Sequence, residues 1–180
     1  IEADKTYEID TLILATGFDA MTGALTSIDI IGRGGAKLKD QWETGAKSYL
    51  GLGIANFPNL FTVTGPGSPS VLSNMMPSIE QHVNWITDCI EWMETNDKKV
   101  IESSKTAEDE WMVLVNEIAD MTIFTDTKSW YNGSNIDSKA KAFLPFIGVP
   151  MYAEMLEEVV TEDYNCLLYT SPSPRDKSSS

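Results

Sequence analysis

One stretch of the sequence, residues 58–90, constrains the fold more than any other part of this chain. Residues 59–64 place apolar, β-favouring side chains beside one another. The glycines and prolines of residues 65–69 then prevent either a strand or a helix from continuing. Beyond them, apolar side chains recur every three or four positions, which predicts a long helix. Its predicted inward face comprises Leu72, Met75, Ile79, Val83, Ile86, Ile90 and Met93.

The start of this predicted helix combines features of a binding site. Asn74 is the expected N-cap, and Pro77 then lies in the first turn, where its missing N–H removes no intrahelical hydrogen bond. The preceding strand and turn bring bare backbone beside the positive end of the helix dipole. The sequence therefore predicts that an electron-rich or anionic group binds here.

Composition limits the class of protein and its partners. The chain has 180 residues, 42% of them hydrophobic and five of them Trp, which is typical of a globular protein with a real core. Its formal charge of -14 would repel nucleic acid and anionic membrane surfaces, so we expect neither as a partner. Cys89 and Cys166 follow neither a metal-site nor a secreted-disulfide pattern, which favours a reducing, cytoplasmic location.

The first half is predicted to contain a buried strand. Residues 7–14 alternate and then become continuously apolar, and a tight turn follows. Such a strand needs layers above and below it, so we expect its partners in polypeptide outside this chain. The chain alone is therefore expected to fold poorly. Residues 28–31 are predicted as a short strand, 32–35 as an exposed turn and 42–55 as a glycine-containing loop.

The second half is predicted to be rich in helices. Residues 107–119 and 151–160 each show helical periodicity. The first of these helices is expected to place Trp111, Leu114, Val115 and Ile118 inward and Glu108, Asp109, Glu110 and Glu117 outward. Residues 125–148 lack periodicity but contain aromatics, as either an ordered wrap or a mobile lid would. Residues 166–180 are polar and of low complexity, and we interpret them as a non-native tail or, alternatively, a disordered one.

Five motifs follow one another along the chain. They are DTLILATGFDA at 10–20, FPNLF at 57–61, GPGSPS at 65–70, SIEQHV at 78–83 and SWY at 129–131. Together they resemble the C-terminal third of a Baeyer–Villiger monooxygenase, and more narrowly the phenylacetone and cyclohexanone monooxygenase group. The resemblance spans residues 7–164. It implies an α/β fold, the incomplete C-terminal part of a flavoprotein with two Rossmann-like dinucleotide-binding domains and a helix-rich second half.

The resemblance also implies an activity and a division of the chain. The family uses FAD and NADPH to insert one oxygen atom from molecular oxygen next to a ketone carbonyl, giving an ester or a lactone. The protein's task is to bind, orient and shield the cofactor. Residues 1–95 would then belong to the FAD domain, residues 96–165 would supply helices and a cofactor-covering loop, and residues 166–180 would be the tail.

Site residues follow from the same resemblance. Expected cofactor contacts are Gly17, Phe18, Asp19, Pro66, Gly67, Ser68, Met75 and Trp130. Expected contacts to the ketone are Ser70, Val71 and Leu72. From the residues alone, Asp19 could instead cap the next turn, Met75 could fill the core and Trp130 could simply pack. His82, the one histidine, is expected to be structural, because no partner for a general base is evident.

Departures from the family pattern limit what this chain does alone. It contains neither GxGxxG nor FxGxxxHxxxW, and Ser138 stands where the family's loop usually has glycine. We therefore expect the chain to be inactive without the N-terminal portion of its parent, and we assign no catalytic residue and no metal ligand. Two alternatives stay open, namely a fragment of an N-hydroxylating or flavin-containing monooxygenase and an acidic interaction module without cofactor.

Overall fold

The computed structural model describes residues 6–13, 19–69, 73–127, 129–133, 145–146 and 148–170. These residues form a small mixed domain of helices with a two-stranded sheet. In chain order its elements are α1 (Gly23–Thr26), α2 (Leu38–Gln41), α3 (Met75–Thr95), β1 (Val100–Ser103), α4 (Lys105–Asp120), α5 (Val149–Thr161) and β2 (Leu167–Thr170). Two short 3-10 helices cover Arg33–Gly35 and Trp130–Asn132.

The long helix α3 begins and ends where the sequence predicts. The Asn74 side chain accepts a hydrogen bond from the Met76 N–H at 3.1 Å, so Asn74 is the N-cap. Pro77 lies in the first turn, where a proline is tolerated. The helix runs for 21 residues and ends at Thr95, two residues after Met93, the last position of the predicted apolar series.

The face that α3 buries differs from the predicted one. Its buried residues are Ser78, His82, Trp85, Cys89 and Met93. Val83 and Ile90, both on the predicted inward face, are 47% and 44% exposed. The reason is that polar groups decide the rotation of the helix. His82 makes hydrogen bonds through both ring nitrogens, and the Trp85 indole N–H donates to the Leu156 carbonyl at 3.2 Å.

Helix α4 confirms one prediction and corrects another. Ser104 caps its start, and Trp111 and Val115 are buried as predicted. Glu108, however, does not belong to a solvated acidic face, because its side chain is completely buried. The Glu108 carboxylate accepts a hydrogen bond from the Ala55 N–H at 3.0 Å, and this bond explains why a charged residue turns inward.

Helices α3, α4 and α5 surround the main core together with two loop leucines. Its aromatic contacts include Trp85 with Tyr164 at 5.4 Å and Trp111 with Phe146 at 4.9 Å between ring centroids. The buried members are Leu50, Leu52, Trp85, Cys89, Met93, Ile101, Trp111, Met112, Val115, Ala119, Phe146, Tyr152, Leu156, Val159, Tyr164 and Leu167. A smaller cluster contains Leu38, Trp42, Ala46, Ile54 and Phe57. The predicted final helix is confirmed as α5.

The strands β1 and β2 pair antiparallel, with Val100 opposite Thr170 and Ser103 opposite Leu167. The sequence patterns predict neither strand. Strand β2 lies in the segment that we interpret as a non-native tail, yet Leu167 is buried in the main core. The fold therefore includes this segment as far as Thr170. For residues 167–170 the interpretation as a tail outside the fold is wrong. The foreign origin of residues 166–180 stays a prediction.

Two predicted strands do not form in the described residues. Residues 7–13 contain no strand and are exposed, because no described segment pairs with them. Residues 59–64 contribute only one bridge, from Phe61 to Gly53. Asn59 and Thr64 have positive φ angles of 57° and 53°, which break the extended path that a strand requires.

The remaining predictions for residues 28–55 concern one strand and two loop segments, and the structure agrees with the two loop segments. A third predicted strand, at residues 28–31, does not form either, because only Ile31 makes a β-bridge, which pairs it with Lys37 across an exposed turn. The predicted turn at residues 32–35 is confirmed, and residues 42–55 form the predicted loop. Helix α2, just before that loop, is missing from the sequence-based interpretation.

Neither a membrane span nor a metal cluster occurs within the described residues. No helix there combines the length and the apolar character that crossing a bilayer requires. No three His, Cys, Asp or Glu side chains in the same ranges are placed to share a metal ion.

Candidate functional site

Two bends of the loop region interlock beside α3. We call residues 48–52 the upstream bend and residues 62–69 the downstream bend. The Gly65 N–H donates to the Gly51 carbonyl at 3.1 Å, and the Thr62 hydroxyl donates to the same carbonyl at 2.8 Å. The predicted turn of the sequence is therefore one half of a paired structure.

The two bends approach so closely that glycine is required where they cross. A Cβ on Gly51, whose φ is 71°, would lie 2.4 Å from the Ser68 Cβ. A Cβ on Gly65 would lie 2.5 Å from the Gly51 carbonyl oxygen, which is backbone and does not swing aside. The Ser48 hydroxyl adds a hydrogen bond to the Pro66 carbonyl. Close packing therefore explains these glycines.

His82 connects the bends to two helices. The Thr64 N–H of the downstream bend donates to His82 Nδ1 at 2.9 Å. His82 Nε2 lies 2.8 Å from the Tyr152 hydroxyl, which donates to the Leu50 carbonyl of the upstream bend at 2.7 Å. Burial lowers the pKa of His82 to about 4 and raises the pKa of Tyr152 well above its usual value. Both side chains are therefore neutral at pH 7. The burial of His82 and its two hydrogen bonds support a structural role, which stays a prediction.

The residues expected to pass the flavin, Pro66, Gly67 and Ser68, are buried within this chain. A Cβ on Gly67 would lie 3.1 Å from Trp111 Nε1. The Ser68 hydroxyl donates to the Gly65 carbonyl at 2.7 Å. The structure thus joins these three residues in one bend whose side chains serve the chain's own packing. Their contact with a cofactor stays a prediction.

The first turn of α3 follows the downstream bend in the sequence. Met75 is half-buried and Met76 is 63% exposed. This turn carries no acidic side chain, so no carboxylate of its own opposes an anion at the positive end of the helix. Apolar side chains and a helix N-terminus are the combination that a flat, electron-rich ring would need.

Of the other predicted site residues, the structure describes only Asp19 and Trp130. Gly17, Phe18, Ser70, Val71 and Leu72 lie outside the described residues. Asp19 accepts hydrogen bonds from the Thr22 N–H at 3.1 Å and from its hydroxyl at 2.8 Å, which is the capping role that the sequence left open. Trp130 stacks on Tyr131, with ring centroids 4.2 Å apart, and is 38% exposed. Their roles toward cofactors stay predictions.

Comparisons with known proteins identify the family. No family model matches the chain. The chain is 40% identical to a phenazine N-monooxygenase of Lysobacter antibioticus and 42% identical to a cyclohexanone 1,2-monooxygenase of Acinetobacter, over 93% and 82% of its length. Its structure matches cyclohexanone monooxygenase from Rhodococcus bound to NADP+ with a TM-score of 0.87 and 40% identity, over 92% of the chain. The chain belongs to the Baeyer–Villiger monooxygenase family.

The match to Baeyer–Villiger monooxygenases is partial in length. The chain spans 31% and 27% of the two relatives and 31% of the Rhodococcus structure. It also spans 31% of a complex of OTEMO with FAD and NADP, with a TM-score of 0.84 and 32% identity. The resemblance seen in the motifs is confirmed, and a non-enzymatic interaction module is not favoured.

Sequence reasoning missed two features of this Baeyer–Villiger monooxygenase chain. The pairing of His82 with Tyr152 joins positions 70 apart, and no local pattern announces it. Glu108 is a buried carboxylate whose pKa is raised by burial, while the Ala55 N–H and the Lys105 ammonium act in the opposite direction. Its first-turn position in α4 was the available signal, because acidic side chains are favoured there.

Proposed function

We propose that the complete protein containing this chain is an FAD- and NADPH-dependent Baeyer–Villiger monooxygenase. It would insert one atom of molecular oxygen next to a ketone carbonyl and release an ester or a lactone. The observation that carries the proposal is the match to NADP+-bound cyclohexanone monooxygenase, with a TM-score of 0.87 over 92% of this chain. A relative named acetone monooxygenase, 39% identical over 165 residues, adds support for a ketone substrate.

The first turn of α3 fits one edge of the flavin. Met75 and Met76 offer apolar contact, and the turn has no acidic side chain. A ring that gains negative charge on reduction is stabilised at a helix N-terminus. FAD, when bound, supplies the redox chemistry with oxygen. This chain's own contribution is to fix the helix that carries that turn, through the hydrogen bonds of the buried His82 to Thr64 and Tyr152.

The remaining roles are assigned by the family resemblance. Gly17, Phe18 and Asp19 would lie beside the cofactors, and Trp130, with its exposed ring, would cover NADP. Residues 70–72 would line the ketone pocket. The complete protein would have two Rossmann-like domains, with residues 1–95 in the FAD domain and residues 96–165 supplying the helices and the covering loop. Two free cysteines and the use of NADPH support a cytoplasmic location.

Expression of the complete polypeptide tests this function. We expect a yellow protein with bound FAD that consumes NADPH faster when cyclohexanone is added. Under ¹⁸O₂, the lactone should carry one labelled oxygen atom. Because one relative is named a phenazine N-monooxygenase, phenazine is the competing substrate, and an N-oxide as the sole product would move the assignment to nitrogen oxidation. A colourless protein that takes up no FAD would refute both.

A charge placed in the first turn of α3 tests how this chain contributes. The substitution Met75→Glu puts a carboxylate at the helix N-terminus, beside the expected ring, and should weaken FAD binding about tenfold by charge repulsion in a desolvated site. Val83→Glu is the matched control, since it adds the same charge to an exposed position of the same helix. Equal FAD affinity in both variants would remove α3 from the site.

A further inference from the structure

One buried group, the His82 imidazole, lies outside the two interlocked bends but is linked by hydrogen bonds to both of them. It receives the Thr64 N–H of the downstream bend directly, at 2.9 Å. It reaches the upstream bend through Tyr152, whose hydroxyl bonds the Leu50 carbonyl at 2.7 Å. His82 and Tyr152 are both fully buried, so water does not replace either bond.

The three bonds fix the tautomer of the ring. Nδ1 accepts from an amide, so it carries no proton. The Tyr152 hydroxyl donates its one hydrogen to the Leu50 carbonyl. Its oxygen therefore accepts a hydrogen bond from His82 Nε2–H at 2.8 Å. A single neutral tautomer therefore satisfies every partner: the Thr64 amide selects it, and the Tyr152 hydroxyl accepts its one N–H and holds the ring in place.

The amide that His82 holds is at a strained position. Thr64 has a φ of 53°, in the left-handed region that side-chain-bearing residues seldom adopt. Such a conformation persists only where its surroundings enforce it. Thr64 comes directly before the crossing glycine Gly65 and the buried residues 66–68, so the direction of the whole downstream bend depends on it.

We infer that His82 is a positioning residue: with Tyr152 as its orienting partner, it clamps Thr64 and so holds the downstream bend and the adjoining start of α3 in the geometry that the flavin site uses. The consequence for the flavin rests on the proposed function. The clamp itself rests only on contacts within this chain, so the two parts are tested separately.

Amide hydrogen exchange in the complete protein, prepared as the apoprotein, tests the clamp without any cofactor. His82→Leu removes both bonds, and we expect the Thr64 amide to exchange at least about tenfold faster. His82→Asn offers an acceptor near the position of Nδ1 and should restore most of the protection. Val83→Leu, on the exposed side of α3, is the matched control and should change nothing. Unchanged exchange in His82→Leu, or no rescue by asparagine, overturns the inference.

Tyr152→Phe is the second variant, and it covers the case in which His82→Leu does not fold. Nitrogen-15 NMR of the wild type should show an unprotonated Nδ1 and a protonated Nε2 at pH 7. Removing the Tyr152 hydroxyl leaves the Nε2–H without its acceptor and lets the ring turn, so the Thr64 amide should exchange severalfold faster than in the wild type. Unchanged Thr64 exchange in Tyr152→Phe would contradict the role of Tyr152 and with it the clamp.

The flavin part is measured in the complete protein. We expect His82→Leu to change the visible circular dichroism of bound FAD and to raise hydrogen peroxide release per NADPH severalfold, with asparagine again restoring the wild-type values. Faster Thr64 exchange combined with wild-type flavin dichroism would overturn the link from clamp to site. A complete protein without flavin but with the expected Thr64 exchange would refute the proposed function and leave the clamp intact.

Discussion

The paired bends and the N-terminal segment 7–13 differ in how far they are buried. Residues 59–64, which lead into the downstream bend, and residues 7–14 are both predicted to form strands, and neither forms one in the described residues. The bends are largely buried and fixed by hydrogen bonds, whereas Ile13 is 83% exposed. Apolar character alone therefore does not decide burial in this chain.

The difference lies in the partners that each region finds. The bends pair with each other and with α3 and α5, and their hydrogen-bonding groups are satisfied within the chain. No described segment pairs with residues 7–13. Because the chain spans about a third of its relatives, we expect those partners in the rest of the complete protein. Four predictions test this contrast, from the largest effect to the smallest.

Replacing the crossing glycine should have the largest effect. In Gly65→Ala the new methyl group would lie 2.5 Å from the Gly51 carbonyl oxygen and 2.4 Å from Thr62 Oγ1. Since backbone must move, we expect a loss of about 4 kcal/mol or more in the free energy of unfolding, measured by urea titration. Gly34→Ala is the control, because Gly34 has open space around it, and its positive φ of 63° should cost only about 1 kcal/mol. Equal losses would mean that the crossing is not tightly packed.

The second prediction concerns pH and the clamp. In the unfolded chain His82 has its ordinary pKa of 6.5, but in the folded chain burial lowers its pKa to about 4. The stability that depends on neutral His82 is therefore complete above pH 6.5 and is lost as the pH falls toward 4, by as much as about 3 kcal/mol. Unfolding titrations of wild type and His82→Asn between pH 7.5 and 4 isolate this contribution. Parallel pH profiles for the two proteins would contradict it.

The third prediction uses the buried carboxylate. Burial raises the pKa of Glu108, so its ionised form destabilises the folded chain increasingly as the pH rises above the ordinary value of 4.5. Glu108→Gln retains an acceptor for the Ala55 N–H and should gain about 1 kcal/mol at pH 8 and less at pH 5. Asp109→Asn, a neighbouring carboxylate that pairs with Lys105, is the control and should lose a little stability instead. A destabilised Glu108→Gln at pH 8 would show that the charge is required.

The smallest effect is expected in the N-terminal segment. Ile13→Ser removes an exposed apolar side chain and should change the free energy of unfolding by no more than about 0.5 kcal/mol. It should, however, reduce self-association in sedimentation velocity, because it lowers the apolar surface that the segment offers. A loss of several kcal/mol, as in Gly65→Ala, would show that the segment is packed.

The sequence predicts the helices well because their signals are local. Asn74 and the apolar spacing after it locate α3 correctly, and α4 and α5 follow from periodicity alone. The buried face of α3 and the burial of Glu108 are set by hydrogen bonds to distant residues, which periodicity does not register. Strand β1 was missed for the same reason, since its partner β2 lies about 70 residues further along the chain.

The candidate site divides in the same way. Motifs indicate the family and draw attention to residues 65–75, and the glycines there have the close contacts that a tight turn suggests. The clamp made by His82 and Tyr152 depends on three-dimensional pairing, and Tyr152 in the sequence is simply one apolar position of a short helix. The predicted flavin and ketone contacts involve the cofactor, the substrate and residues 17–18 and 70–72, which lie outside the described residues.

Amide hydrogen exchange, compared between the 180-residue chain and the complete protein, tests the central contrast most directly. The Thr64, Gly65 and Ser68 amides should be protected in both, because their acceptors lie within this chain. The amides of residues 8–13 should be protected only in the complete protein, where their expected partners are present. Unprotected bend amides in the chain, or residues 8–13 already protected there, would contradict the account.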